Sequence, residues 1–169
     1  MIIVSPDKHR INKDGQYEFS QEGSDRAYKL ALAEWHDVCY HKIGPDIRGR
    51  VLLAVGLPGS GKSTLLENPA SGGYFWEQEL RDVFAVFDAT LTSRLARRPL
   101  IEIARMSRKA RIEALVFDVP LCVALQRNSE RPDGRRVPHG TMMRMAQQLE
   151  DEPPTTAEGL WRVTATSRE

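Results

Sequence analysis

A glycine-rich loop between an apolar run and the start of a helix constrains this chain more than any other feature. In the stretch 50–64, RVLLAVGLPGSGKST, the segment Gly56–Ser63 fits the phosphate-binding pattern G-x-x-x-x-G-K-[ST]. Residues 51–55 are apolar and predict a buried strand, and a helix is expected to begin directly after the loop. This strand–loop–helix context is the one that phosphate binding requires.

The loop predicts a site for a nucleoside triphosphate. Its expected binding residues are Gly56, Pro58, Gly59, Ser60, Gly61, Lys62, Ser63 and Thr64. Backbone N–H groups and the helix N-terminus favour anionic oxygens there. Lys62 is predicted to reach the β- and γ-phosphates and Ser63 to ligate Mg²⁺, so ATP and Mg²⁺ are the predicted cofactors. We expect the Lys62 side chain to be exposed to solvent.

The 169 residues are 41% hydrophobic and 28% charged, which predicts one globular domain. The net charge of +1 does not by itself indicate a nucleic-acid-binding protein. The segment 94–111 is rich in arginine, and we expect most of it to lie on a solvated helix face. The chain contains no membrane-length apolar run and no signal-peptide pattern. The lone Cys39 and Cys122 are typical of packed, reduced thiols, so we expect a cytoplasmic protein without a membrane partner.

Apolar runs alternate with helical patterns, which predicts an α/β fold with a parallel sheet flanked by helices. Strands are expected at 2–5, 51–55, 83–87, 113–119 and 160–166. Helices are expected at 24–41, after the loop, and at 75–81, 91–106, 121–128 and 141–150. Pro99 predicts a kink or a junction of two helices, and Thr141 is the expected cap of the last helix. Gly44, Pro45 and Asp46 should end the first helix.

Two acidic residues follow the ends of predicted strands. Asp88 is a candidate Mg²⁺ ligand, although a turn-forming role is the alternative. Asp7 is a candidate acceptor for the proton of an attacking hydroxyl, and Arg10 is a candidate for gripping an anionic acceptor. A surface ion pair between Asp7 and Arg10 is the simpler alternative.

Arginines after the fourth strand form a further candidate cluster. Arg127 and Arg131, followed by Arg135 and Arg136, are placed to close over phosphates, and a solvated loop is the alternative. The three tryptophans, Trp35, Trp76 and Trp161, are expected to pack in the core or at an edge rather than to stack on bases.

Taken together, these motifs resemble the kinase domain of phage-type polynucleotide kinases and of related bacterial P-loop kinases. The resemblance covers residues 51–166 in the family's usual order. It is carried by GLPGSGKST at 56–64, VFDVP at 116–120, RNS at 127–129, Arg131, Val137-Pro138 and PPTTAEGLWRV at 153–163. The family's D-x-x-R block normally follows the P-loop helix. Here the interval between Lys62 and Asp88 is too short for it, and Ile2–Ser5, Asp7-Lys8-His9-Arg10 and Tyr17-Glu18-Phe19-Ser20 resemble that block instead.

The resemblance implies a rearranged P-loop kinase fold, with an acceptor block at 1–46 and the P-loop, Mg²⁺ strand and lid at 47–169. It implies that Asp7 is the general base and that Arg10 binds the phosphate beside the acceptor hydroxyl. Lys62, Arg127 and Arg131 would hold the ATP phosphates or the nucleotide. The implied partners are the 5′-hydroxyl ends of RNA or DNA in nucleic acid repair, with any ligase or phosphatase on a separate chain. A kinase of small-molecule hydroxyls and a non-catalytic ATP-binding module are the alternatives.

Exchanging the two blocks has a topological consequence. The resemblance implies a sheet with the P-loop strand in its centre. With the two blocks exchanged and right-handed connections kept, the strand at 2–5 is expected at the edge of the sheet, in the spatial order 2–5, 83–87, 51–55, 113–119, 160–166. Asp7, Arg10, Lys62 and Asp88 should converge at the carboxyl edge of that sheet.

Overall fold

Five parallel strands and the helices between them make up the described part of the chain. The computed structural model describes residues 1–11, 16–18, 20–43, 49–132 and 135–167. The strands are β1 Ile2–Val4, β2 Gly49–Val55, β3 Val83–Asp88, β4 Ala110–Asp118 and β5 Arg162–Ser167. The α-helices are α1 Gln21–Asp37, α2 Lys62–Glu67, α3 Tyr74–Leu80, α4 Arg94–Met106, α5 Leu121–Ser129 and α6 His139–Asp151. Short 3₁₀ turns occur at Pro6–His9, Pro69–Gly72 and Thr156–Glu158.

The order of the strands is not their order in the chain. They lie as β1-β3-β2-β4-β5, and each neighbouring pair is parallel. This confirms the predicted spatial order, with β1 at one edge and the P-loop strand β2 in the centre. The sheet, its flanking helices and this non-sequential order are consistent with a P-loop NTPase or kinase fold.

Helices cover both faces of the sheet because alternate residues of its strands point to opposite sides. On one face, Trp35 of α1 and Leu100 of α4 are fully buried against a cluster that includes Val51 and Phe87. On the other face, α2 and α3 pack against alternating residues of β2, β3 and β4. Among the described residues, no helix is long and apolar enough to cross a membrane.

Several local expectations are corrected. Helix α4 runs continuously through Pro99 from Arg94 to Met106, so two helices do not meet there. Thr141 is not a cap, because α6 begins at His139 after Pro138, whose fixed φ already suits the entry into a helix. Trp35 and Trp76 are buried as expected, whereas 66% of Trp161 is exposed. Cys39 is buried, but Cys122 is exposed rather than packed.

A few predictions fall outside the described residues. These are the helix break at Gly44, Pro45 and Asp46, the boundary between 46 and 47, and Phe19 in the resemblance.

Arg97 is the exception to the solvated face expected for 94–111, because its side chain is completely buried. Its guanidinium donates a bidentate pair of hydrogen bonds, both 2.8 Å, to the Glu158 carboxylate. It also donates to the carbonyl oxygens of Leu91, at 3.0 Å, and Glu152, at 2.7 Å. One buried cation therefore joins the start of α4 to the segment between α6 and β5.

We expect Arg97→Ala to lower the free energy of unfolding by about 3–5 kcal/mol, because it leaves the Glu158 carboxylate buried without its partner. Urea denaturation measures this loss. The matched control is Arg98→Ala, which removes the neighbouring arginine and its solvent-exposed pair with Glu102 and should leave the midpoint nearly unchanged. Equal effects of the two substitutions would contradict the structural role of Arg97.

Candidate active site

The P-loop backbone turns tightly at the carboxyl end of β2. Gly59 and Gly61 have φ of +82° and +87°, values that side-chain-bearing residues rarely adopt. A Cβ atom on Gly59 would also lie 2.6 Å from the carbonyl oxygen of Ala124 in α5. Glycine at position 59 therefore lets the loop pass close under α5, and Gly61 directly precedes the first turn of α2.

The expectation that Lys62 is exposed to solvent is wrong, since only 8% of the residue is accessible. Its ammonium donates to the carbonyl oxygens of Gly56 at 2.8 Å and Leu57 at 2.9 Å, and to Ser60 Oγ at 3.3 Å. Burial lowers the pKa of Lys62 to about 8, an effect that the Asp88 charge opposes and the Arg131 charge reinforces. The loop thus holds a desolvated cation where phosphate oxygens are expected.

Ser63 and Asp88 meet at the end of the two central strands. The Ser63 hydroxyl donates a 2.7 Å hydrogen bond to Asp88 Oδ2. Burial raises the pKa of the Asp88 carboxyl, while the hydrogen bond from Ser63 and the charge of Lys62 act in the opposite direction. A hydroxyl and a carboxylate side by side are the hard oxygen donors that Mg²⁺ takes alongside phosphates and water, so these residues fit that ion.

Helix α5 and the loop after it form the other wall of the phosphate site. Arg127 and Arg131 line a cavity of about 360 Å³ together with residues of the P-loop, namely Gly59, Gly61, Lys62, Ser63 and Thr64. Arg127 donates from its guanidinium to Gly59 O at 3.4 Å. The structure therefore brings both predicted arginines to the P-loop.

The buried side chain of Asn128 fixes the loop that carries these arginines. Its amide nitrogen donates to Val137 O at 2.8 Å, and its amide oxygen accepts from Val137 N at 3.0 Å. This two-way bond closes the loop between α5 and α6 on itself. The RNS motif pointed to this region without showing that Asn128 braces the loop.

Asp7 lies at the same edge of the sheet as the phosphate site. It follows β1, Asp88 ends β3 and the P-loop follows β2, so three adjacent strands carry these groups to one edge. Neighbouring strands are spaced about 4.8 Å apart, so β1 and β2, which lie on either side of β3, are about 10 Å from each other. Burial is the main influence on both groups, since it lowers the pKa of Lys62 and raises the pKa of Asp88. The Asp7 charge acts on both groups as well and makes a smaller, raising contribution to each pKa. The predicted convergence at the carboxyl edge is therefore present.

Arg10 lies beside Asp7 with capacity for a further partner. Its Nε is 3.9 Å from Asp7 Oδ1, too long for a hydrogen bond. This nitrogen is buried and has no hydrogen-bond partner among the described residues. A buried guanidinium N–H without a partner is costly, which makes Arg10 a candidate to bind an anion.

Tyr17 belongs to the same cluster. The sequence indicated this residue only as part of a stretch that resembles the D-x-x-R block and gave it no role at the site. An antiparallel bridge between Ile11 and Tyr17 returns the chain to Asp7. The Tyr17 hydroxyl donates to Asp7 Oδ1 at 2.8 Å. Burial, followed by this bond, raises the pKa of Tyr17 to about 12, so the phenol stays protonated and orients the carboxylate. The guanidinium of Arg135, from the loop after α5, lies 5.8 Å from the centre of the tyrosine ring.

Comparison with known proteins supports the nucleotide-binding part of this site. A family model described as an AAA domain matches residues 79–152, which run from the end of α3 through α6. No curated protein matches the chain. The match supports a P-loop nucleotide-binding domain of the kinase-like, phosphotransferase type.

Proposed function

We propose that this protein is a kinase that uses ATP to phosphorylate the 5′-hydroxyl end of RNA or DNA. Asp7 takes the proton of the 5′-hydroxyl while the hydroxyl oxygen forms its bond to the γ-phosphorus. The bond from that phosphorus to the β–γ bridging oxygen breaks, and ADP leaves. Lys62, Arg127 and Arg131 surround the transferred group with positive charge. Mg²⁺, when held by Ser63 and Asp88, supplies further neutralisation of the phosphate charge.

The observation that carries the proposal is the position of Asp7 relative to the P-loop. A carboxylate that influences both Lys62 and Asp88, yet leaves 73% of its side chain exposed, is accessible to an acceptor hydroxyl. A non-catalytic module has no need of a carboxylate held there by a hydrogen bond from Tyr17. This favours phosphoryl transfer over ATP binding alone.

The acceptor side of the site also favours a phosphorylated chain over a neutral small molecule. Arg10 presents a buried N–H that lacks a partner in the described structure, close to the expected general base. Arg135 adds a second guanidinium at the adjoining tyrosine. An acceptor with a phosphate next to its terminal hydroxyl, as in a polynucleotide 5′ end, would satisfy both cations.

The order of the blocks in the chain agrees with this proposal. Strand β1, Asp7 and Arg10 stand where the resemblance to polynucleotide kinases locates the acceptor block after the exchange. The family match begins at residue 79, downstream of the point where that exchange would interrupt a linear comparison.

The proposal is tested by incubating the protein with γ-labelled ATP and a panel of acceptors. The panel contains 5′-hydroxyl RNA and DNA oligonucleotides, nucleosides, sugars and buffer alone. We expect label in the oligonucleotides at far higher kcat/KM than in nucleosides or sugars. Preferential labelling of a small molecule would favour the second kinase hypothesis, and nucleotide binding with no labelled acceptor would favour the non-catalytic module.

Arg10 and Arg131 should affect different kinetic constants. We expect Arg10→Ala to raise the KM for the oligonucleotide and Arg131→Ala to lower kcat, each by about 10- to 100-fold, the value of a lost charge-assisted hydrogen bond. Steady-state kinetics with both substrates varied measures the two constants. Arg144→Ala, an exposed arginine on α6, is the control and should change neither. An Arg10→Ala effect confined to the KM for ATP would contradict its assignment to the acceptor.

A further inference from the structure

A second concave surface lies at the amino edge of the sheet, opposite the P-loop. It is a groove of about 370 Å³ between the end of α4 and the starts of β4 and β5. Its charged and aromatic lining consists of Arg105, Arg108, Lys109, Arg111 and Trp161, and we call it the basic groove. Nothing in the phosphate-transfer site accounts for these residues.

The cations of the basic groove lack acidic partners among the residues that the structure describes. Within the described part of the chain, Arg105, Arg108, Lys109 and Arg111 form no ion pair with an acidic residue. Glu113 follows Arg111 on the same side of β4, but it already bonds to Arg50 at 3.0 Å and Arg162 at 3.1 Å. Four uncompensated cations around one concavity create a local positive potential that the net charge of +1 conceals.

Trp161 adds an aromatic surface at the rim of the basic groove. The residue is 66% exposed, and the Arg111 guanidinium lies 5.0 Å from the centre of its ring. Its backbone N–H donates to Ile112 O at 2.7 Å, which holds the residue beside β4. Leaving so much of a tryptophan in water is unfavourable, and an aromatic–arginine pair is a surface on which a nucleobase stacks.

The backbone around the groove keeps the cations in place at some cost. Arg108 has φ of +57°, a conformation that glycine or asparagine adopts more readily than arginine. Gly159, at φ of +99°, leaves room for Arg105, since a Cβ atom there would lie 2.6 Å from an Arg105 guanidinium nitrogen. A long basic side chain therefore stands just after α4 at a position where glycine or asparagine would be less strained.

Stabilisation of the α4 dipole explains part of this cluster but not all of it. Arg105, Arg108 and Lys109 are near the C-terminal end of α4, where cations are favourable. Arg111 belongs to β4 and Trp161 precedes β5, so the dipole gives no reason for either. These two residues convert a basic helix end into a groove with both phosphate-binding and base-stacking groups.

We propose that the basic groove binds single-stranded nucleic acid, with phosphates on the cations and a base stacked on Trp161. A single strand fits because its bases are free to stack, and because a concave surface admits a chain but not the plane of a bilayer. The choice of a polynucleotide over another polyanion rests on the proposed function. The groove itself does not depend on that function.

The basic groove and the phosphate site are separate. The nine residues of β4 lead from one edge of the sheet to the other, and at about 3.3 Å per residue they span about 30 Å. A short acceptor in the phosphate site therefore leaves the basic groove free. A longer strand can contact both, so the groove should lower the KM of long acceptors only.

The first experiment measures equilibrium binding without ATP, using the anisotropy of a labelled single strand of about 16 nucleotides. We expect Lys109→Glu and Trp161→Ala each to weaken binding by about 10-fold, and Trp161→Phe to retain most of it. Lys109→Glu should also reduce the slope of log K against log salt by about 0.7, one lost phosphate contact. The matched control, Lys29→Glu on the exposed face of α1, should bind like the wild type.

Intrinsic fluorescence provides an independent signal. Trp35 and Trp76 are buried, so quenching by the single strand should come from Trp161 and disappear in Trp161→Phe. Wild-type binding by Trp161→Ala and Lys109→Glu would overturn the proposal. So would an equal loss in Lys29→Glu, or tighter binding to anionic phospholipid vesicles than to the oligonucleotide.

The outcomes for the groove and for the proposed function can be told apart by acceptor length. If turnover of a 5′-hydroxyl dinucleotide persists while the groove variants bind the long strand normally, the groove proposal fails and the kinase stands. If the groove variants lose binding but no 5′-hydroxyl acceptor is ever labelled, the groove stands and the proposed function fails.

Discussion

Replacing Lys62 with alanine is expected to lower the rate of phosphoryl transfer by about 10²–10³-fold, the usual loss when one charged donor to a developing negative charge is removed. Lys62 is the only lysine that lines the phosphate cavity among the described residues. Its desolvated ammonium is held at the loop by Gly56 O, Leu57 O and Ser60 Oγ, and it exchanges one of these three hydrogen bonds to meet a phosphate oxygen. Turnover of a 5′-hydroxyl oligonucleotide with saturating ATP is the measurement.

The burial of Lys62 also predicts an effect on stability. Lys62→Ala removes the donor to two buried carbonyl groups, which costs about 1–3 kcal/mol, and relieves the desolvation of one cation, which offsets part of that cost. Urea denaturation should therefore show a modest shift, and the activities should be compared below both midpoints. Lys62→Arg keeps a positive charge but replaces a compact ammonium with a larger, planar guanidinium. Its turnover should therefore remain below that of the wild type. Wild-type turnover in Lys62→Ala would contradict the P-loop mechanism.

Asp7→Asn is expected to reduce kcat by about 10²–10⁴-fold while leaving ATP binding largely unchanged. The substitution keeps the size of the side chain and its capacity to accept from Tyr17, but removes the basic carboxylate. The nucleotide cavity is lined by the P-loop and by arginines of the α5 region rather than by Asp7. Separate measurement of nucleotide affinity and of kcat therefore distinguishes a lost base from a damaged fold.

The matched control for Asp7 is Asp25→Asn on the exposed side of α1, which removes one carboxylate and should leave kcat unchanged. Tyr17→Phe removes the hydrogen bond to Asp7 without removing the carboxylate. Its kcat should lie between that of the wild type and that of Asp7→Asn. Full activity of Asp7→Asn would refute the role of general base.

The position of the phosphate site and the strands themselves were predictable because their signals are local, whereas the order of the strands followed from the resemblance to polynucleotide kinases. The motif around Lys62 names its own chemistry, and continuous apolar runs such as Val83–Phe87 identify buried strands. The short interval between the P-loop helix and β3 indicated an exchange of blocks relative to the kinases that the sequence resembles, and their sheet order then implied that β1 lies at the edge of the sheet. The placement of Asp88 and Asp7 at one edge of the sheet then follows, since parallel strands bring their carboxyl ends together.

Other features depend on side-chain contacts that form only in the folded chain, and the sequence pattern gave no signal for them. Lys62 is buried because its ammonium bonds to carbonyl oxygens of its own loop. Arg97 is buried because its guanidinium pairs with the carboxylate of Glu158, a residue far along the chain. Tyr17 reaches Asp7 only through the bridge to Ile11. Residue type alone also left open whether Trp161 lies in the core or at an edge, and the structure places it at the amino edge of the sheet, where it is 66% exposed.

The identity of the acceptor is tested most directly with a matched pair of oligonucleotides and γ-labelled ATP. The two strands share one sequence, and one ends in a 5′-hydroxyl while the other already carries a 5′-phosphate. The proposed function predicts label in the first strand only, recovered at its terminal nucleotide after nuclease digestion, and loss of that label in Asp7→Asn. Equal labelling of both strands, or label only in a nucleoside or sugar, would contradict it.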